Sequence, residues 1–101
     1  MSRLSEALKL IEAGWCQGVQ ARDENGKETY IIKTGNPASY SILGALLKVC
    51  PTYREEMLAH DQLKKHIPWH WSLTDWNDAE RRTKDDVINL FKKAIADESS
   101  R

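Results

Sequence analysis

Apolar residues recur at helical spacing in three long stretches of the chain. Leu4, Ala7, Leu8 and Ile11 form one stripe, which predicts a first helix over residues 2–13. Ser2 is the preferred N-cap, because Leu4 already belongs to the stripe, and Gly14 is a natural C-terminal stop. Residues 38–50 carry Ile42, Leu43, Ala45, Leu46, Leu47, Val49 and Cys50, apolar on more than one side. That pattern predicts a central helix with neighbours on several faces, capped by Asn36 with Pro37 in its first position. Gly44 lies inside this helix at a cost of roughly 1 kcal/mol relative to alanine. Its presence predicts close approach by another element, a tryptophan ring being the first candidate. The third stretch runs from Lys84 to about Asp97, with Val87, Ile88, Phe91, Ala94 and Ile95 on one face. Thr83 is its N-cap, and Asp86, three residues on, makes an imperfect capping box. Asp85 and Asp86 suit the positive end of the helix dipole, and Lys92 and Lys93 the negative end.

The intervening segments are less regular. Trp15, Val19 and Ala21 alternate with polar neighbours, Asp23-Glu24-Asn25-Gly26 is a turn, and residues 28–33 contain Thr29, Tyr30, Ile31 and Ile32. A small β-hairpin across Asn25-Gly26 follows, leaning on the helices because two strands alone are marginal. Pro51 ends the central helix and Thr52 can start the next, over residues 52–66, where Tyr53, Met57, Leu58 and Leu63 give a weaker stripe, with a break expected near His60-Asp61 and Pro68 closing it. Residues 68–82 show no long element, only a single turn through Trp76 that Thr74 can cap. The fold class is mainly α (α+β): about four helices around a central apolar helix, with a small hairpin after the first.

Composition narrows the picture. At 101 residues, the chain is expected to form a single domain over residues 1–101, and 41% hydrophobic residues supply one modest core. Fifteen basic residues balance fifteen acidic ones, which argues against nucleic-acid binding by bulk charge. Two cysteines, Cys16 and Cys50, are too few for a disulfide framework, and they read as small core residues. No basic start precedes an apolar run, and no stretch approaches a membrane span. A cytoplasmic setting without membrane contact is expected.

The candidate chemistry is concentrated in residues 69–82. Trp76-Asn77-Asp78 with Arg82 is the sharpest group, and on a helical turn Asp78 and Arg82 can pair. Either Trp76 plugs the core while Asn77, Asp78 and Arg82 satisfy loop backbone, or the group rims a polar pocket. Trp69 and Trp71, two apart, share a side if extended, either packing on the central helix or anchoring a protein partner. His66 and His70 are four apart, but Pro68 lies between them and no paired zinc-type spacing exists. No metal and no cofactor is expected, and neither cysteine carries a nucleophile signature. The basic pairs Lys64-Lys65, Arg81-Arg82 and Lys92-Lys93 are diluted by nearby acids.

Gly14-Trp15-Cys16-Gln17-Gly18, Ala21-Arg22-Asp23 with Gly26, Leu43-Gly44-Ala45-Leu46, Trp76-Asn77-Asp78, Arg82-Thr83, Asp86-Val87 and Ala94-Ile95 form an ordered pattern. In these residues the chain resembles a family of short bacterial and bacteriophage proteins of unknown function. That family has a Gly-Trp-x-Gln-Gly opening, a Gly-Ala-Leu helix and a Trp-Asn-Asp…Arg-Thr close. Residues 51–71 match least. The resemblance implies that Trp15, Gln17, Trp76, Asn77, Asp78, Arg82 and Thr83 belong to one spatial cluster.

Two functions are carried forward. The first is a small non-enzymatic protein-interaction module, phage-encoded and binding or inhibiting a host complex such as a defence system. Its partner-binding residues are drawn from Trp69, Trp71, Asn77, Asp78, Arg82 and Gln17. The second is a small-ligand or catalytic pocket built on Gln17, Asn77, Asp78 and Arg82, with Asp78 the attractive base. Convergence of those side chains in a concavity, against their loss into caps, separates the two.

Overall fold

The computed structural model describes residues 3–30, 32 and 35–99. Ser2, Ile31 and the residues flanking Gly35 on its N-terminal side fall outside that range, so the cap assigned to Ser2 and the full second hairpin strand do too. The first helix, α1 (Arg3–Ala13), buries Leu4, Ala7 and Ile11. It ends where expected: the Gly14 N–H donates to the Leu10 carbonyl at 3.0 Å, and the chain turns away.

The chain then meets a two-stranded sheet. β1 (Ala21–Arg22) pairs antiparallel with β2 (Ser39–Tyr40), Ala21 opposite Tyr40 and Arg22 opposite Ser39. The turn across Asn25-Gly26 forms, with Gly26 at φ 80°, the Asp23 N–H bonded to the Lys27 carbonyl, and one antiparallel bridge between Arg22 and Glu28. The two-residue ladder of β1 is with β2, and Glu28 and Thr29 meet β1 as well, the Thr29 N–H donating to the Ala21 carbonyl at 3.0 Å. The Ala38 N–H donates to the Arg22 carbonyl, and the Ser41 N–H to the Gln20 carbonyl, both at 2.9 Å. Those two bonds hold residues 38–41 extended, so Asn36 and Pro37 do not start the next helix. It begins four residues later, as α2 (Ile42–Val49), with Ser41 accepting from the Gly44 N–H.

Gly44 is explained by backbone, not by a tryptophan. A Cβ built there would lie 1.9 Å from the Gln20 carbonyl oxygen. The segment leading into β1 therefore rides directly on α2.

Thr52 caps α3 (Tyr53–Lys64), accepting from the Glu55 N–H at 3.2 Å. The helix continues through His60 and Asp61 without a break. Leu63 of the predicted stripe is buried, together with Ala59, whereas Tyr53 and Leu58 are exposed, so only the C-terminal part of that stripe meets the core. The segment expected to hold a single turn contains a fifth, short helix, α4 (Leu73–Asn77), which Ser72 and not Thr74 caps. The last helix, α5 (Lys84–Ser99), opens on a reciprocal capping box. The Asp86 N–H donates to Thr83 Oγ1, and the Thr83 N–H donates to Asp86 Oδ2, each at 3.1 Å. Thr83→Ala is expected to lower stability by about 1 kcal/mol, read as a lower denaturation midpoint with unchanged slope.

The apolar faces meet in one core containing Leu4, Ile11, Ile42, Leu46, Leu63, Leu73, Val87 and Phe91. α2 touches α1, α3 and α4, as its all-round apolar character predicts. α5, however, packs on α1 and α3, so α1 and α3 both stand between α2 and α5. The physical reason is the length of α2. At eight residues it spans about 12 Å, too short to support every other element.

Candidate functional site

Asn77, the last residue of α4, is 1% exposed and makes four hydrogen bonds through its side chain. Its Oδ1 accepts from the Trp15 indole Nε1–H at 2.8 Å and from the backbone N–H of Ile42 at 3.1 Å. Its Nδ2 donates to the Cys16 carbonyl at 3.2 Å and to Asp78 Oδ1 at 2.9 Å. A carboxamide offers two donors and two acceptor lone pairs, so its capacity is fully used. One side chain thereby ties three separated parts of the chain together: the segment after α1, the N-terminus of α2, and α4.

Two further residues complete this latch. Gln17 Nε2 donates to the carbonyls of Asn77 and Ala79, both at 2.9 Å. The same Asp78 Oδ1 accepts from the Gly18 N–H at 2.9 Å, where Gly18 holds φ 83°. Arg22 braces the other side, donating from Nη2 to the Gln17 carbonyl at 3.0 Å and from Nη1 to the Gly26 carbonyl at 3.0 Å. Trp15, Gln17, Asn77 and Asp78 do cluster, mostly in bonds to backbone.

Arg82 stands apart from that cluster. It does not pair with Asp78. Its Nε donates to the Trp76 carbonyl at 2.7 Å, and its Cζ lies 3.7 Å from the centre of the Trp76 ring. The C-terminus of α4 ends at Asp78, and Arg82 folds back over it, so pairing at helical spacing never arises. Trp76 itself is buried at 9% exposure.

Trp69 and Trp71 do not share a side. Trp69 is 89% exposed, while Trp71 is half-buried and packed against the core. A turn closed by the Trp71 N–H on the Pro68 carbonyl breaks the extended geometry that equal facing requires. Lys64 Nζ reaches across to donate to the carbonyls of Trp69, at 3.2 Å, and Trp71. The His70 ring meets Trp69 edge-on at 5.7 Å between centroids.

Two concavities adjoin these groups. One of about 130 Å³ is lined by Gly18, Val19, Gln20, Ser41, Leu43, Thr74, Asn77 and Asp78. A second, of about 190 Å³, is lined by His66, Trp76, Arg82, Asp86, Asn89, Leu90 and Lys93. The structure thus divides the four residues expected to share a pocket: Asn77 and Asp78 border one concavity, and Arg82 the other. The second cleft escaped sequence reasoning because α5 contributes Asp86, Asn89 and Lys93 from its polar face, which reads as ordinary solvated surface. Arg82, Asp86, Asn89 and Lys93 do recur at offsets of 4, 7 and 11, and that periodicity was the available signal.

Cys16 and Cys50 are both buried and not joined by a disulfide, and burial pushes the Cys16 thiol up. Among the described residues no group of three His, Cys, Asp or Glu could hold a metal ion, and no helix is long and apolar enough to cross a membrane.

A buried asparagine latch between an irregular strand segment and a short helix defines a small, mainly helical α+β domain. The chain belongs to the family of unknown function DUF6197, whose model matches residues 2–97. No curated protein and no solved structure matches it.

Proposed function

We propose that this protein is a non-enzymatic interaction module whose principal anchor is Trp69. The observation that carries the proposal is the exposure of Trp69 on a restrained turn. A large aromatic side chain held out in water gains most when a partner covers it, and a backbone already bonded to Lys64 loses little freedom on binding. The second concern, a catalytic or ligand pocket on Gln17, Asn77, Asp78 and Arg82, has weaker support. Asn77 has no spare hydrogen-bonding capacity, Gln17 Nε2 is engaged with two carbonyls, and Arg82 borders a separate cleft. The family resemblance extends the proposal to a phage-encoded protein in the bacterial cytoplasm, binding or inhibiting a host complex such as a defence system.

Three tryptophan substitutions test this. Trp76→Ala is expected to cost about 3–5 kcal/mol of stability, because it empties a buried site and strips Arg82 of its stacking surface. Trp69→Ala is expected to melt like the parent, and Trp71→Ala to fall between them. Affinity capture from bacterial lysate identifies the retained protein, which is then purified and titrated against each variant. Trp69→Ala should weaken that binding by more than about 2 kcal/mol. Unchanged affinity in Trp69→Ala would remove the anchor and the proposal with it.

A further inference from the structure

We propose that the cleft between α5 and the α3–α4 connection is a binding site for a single carboxylate group, received by Arg82, Asn89 and Lys93. The proposal does not rest on Trp69, whose side chain is not part of the cleft.

The strongest observation is the state of Arg82. Its guanidinium is fixed from two directions, by the Nε bond to the Trp76 carbonyl and by stacking on the Trp76 ring. Its terminal nitrogens are not used in either contact. Among the described residues no carboxylate forms an ion pair with it. A planar, immobilised guanidinium with open terminal donors is the group best suited to bidentate capture of a carboxylate.

The rest of the lining supplies the other donors. Asn89 and Lys93 lie on the face of α5 that borders the cleft, Arg82 reaches it from the segment just before that helix, and Asn89 and Lys93 are exposed. Trp76 and Leu90 are the apolar members of a lining that is otherwise polar. His66 forms the far wall, with its Nε2 buried, without a hydrogen-bond partner, and 3.7 Å from Asp97 Oδ2.

The acidic members decide the ligand's charge. Asp86 lines the cleft, and its Oδ2 is committed to the Thr83 N–H. Leaving aside His66, which lies against Asp97, the lining carries Arg82 and Lys93 at +1 each and Asp86 at −1, so +2 − 1 = +1. A monoanion balances that charge, whereas a phosphate dianion leaves an excess beside Asp86. About 190 Å³ accommodates a carboxylate-bearing side chain or a small free acid. The same chemistry has those two sources, and they can be told apart.

The test is a titration followed by two-dimensional ¹H–¹⁵N NMR, reading the Arg82 Nε–H, the Trp76 indole and the Asn89 and Lys93 amides. Acetate represents a free acid, and N-acetyl-aspartate methylamide represents a peptide-borne one. Acetamide at the same concentrations controls for shape, sodium chloride for ionic strength, and inorganic phosphate for the dianion. Saturable shifts confined to these residues with either carboxylate, and absent with acetamide and chloride, support the site. Tighter binding of the blocked aspartate assigns it to a partner's acidic side chain, and tighter acetate binding assigns it to a small acid. Arg82→Lys keeps the charge but loses the planar fork, and should weaken binding about tenfold or more. Because Arg82 also braces α4, the exposed substitutions Lys93→Gln and Asn89→Ala are measured beside it, each expected to weaken binding several-fold. Unsaturable or dispersed shifts, equal response to acetamide, or unchanged binding in both exposed variants overturns the proposal. Tighter binding of phosphate than of both carboxylates overturns the assignment of ligand class.

Discussion

Asn77→Ala is expected to cost the fold about 3–4 kcal/mol, more than any other single polar substitution in the chain, because it orphans several buried groups at once. The truncation leaves the Trp15 indole N–H, the Ile42 N–H and the Cys16 carbonyl without their partner. Two of those bonds are buried, so water cannot replace them without opening the structure. Asp78→Ala is the internal comparison. Asp78 is exposed, the Gly18 N–H that it serves can turn to solvent, and Asn77 Nδ2 keeps its bond to the Cys16 carbonyl, so the loss of Asp78 should cost about 1 kcal/mol. Urea denaturation of the two variants checks both values. Equal midpoints for Asn77→Ala and Asp78→Ala would mean that the latch is not the principal polar tie in the core.

The contrast between those residues also shows what the sequence displays and what it conceals. Helices were legible because their signals are local. Thr52 and Thr83 each bond a group three residues away, and the stripes of α1 and α5 repeat within a turn or two. The start of α2 was not legible. Asn36-Pro37 carries local helix-start chemistry, but two backbone bonds to Gln20 and Arg22 hold the following residues extended. Local preference for a helical start is weaker than a satisfied pair of backbone bonds. Tyr53 and Leu58 misled for a related reason: their apolar side chains fit a helical spacing, yet Ala59 and Leu63 face the core. Of the residues that the family pattern groups, Trp15, Gln17, Asn77 and Asp78 meet in the latch, whereas Arg82 lies on Trp76 and Thr83 caps α5. The wiring of the latch was not legible, because partners 35 to 62 residues apart leave no periodic trace. Trp69 and Trp71 were separated only by a turn whose closing bond depends on Pro68.

Gly44→Ala should be more damaging than any exposed glycine substitution, despite improving helix propensity by roughly 1 kcal/mol. The new Cβ would sit 1.9 Å from the Gln20 carbonyl oxygen and 2.8 Å from its carbon. Backbone cannot yield as a side-chain tip does. The residues before β1 must lift from α2, which stretches the Ser41–Gln20 bond and disturbs Ala21 in the core. A loss of about 3 kcal/mol or more is expected, the upper range for overpacking. Gly26→Ala meets nothing within 4 Å and has only the positive φ to oppose it, so it should cost about 1–2 kcal/mol. Thermal melts order the two. A Gly44→Ala protein as stable as the parent would show that the β1 approach is loose enough to shift.

The wiring of Asn77 has a consequence for the order in which the chain matures. Its bonds to Trp15 and Cys16 close loops of 62 and 61 residues, whereas every helix can form from neighbours. Contacts that close long loops are made late, after local structure has lowered the entropy of bringing their ends together. On the ribosome, residues 15–18 therefore have their bonds to Tyr40 and Arg22 but no tie to Asn77 until Asn77 has left the exit tunnel. A nascent chain stalled before that residue holds helices without that fastening, and it is the stage most open to a chaperone or a protease.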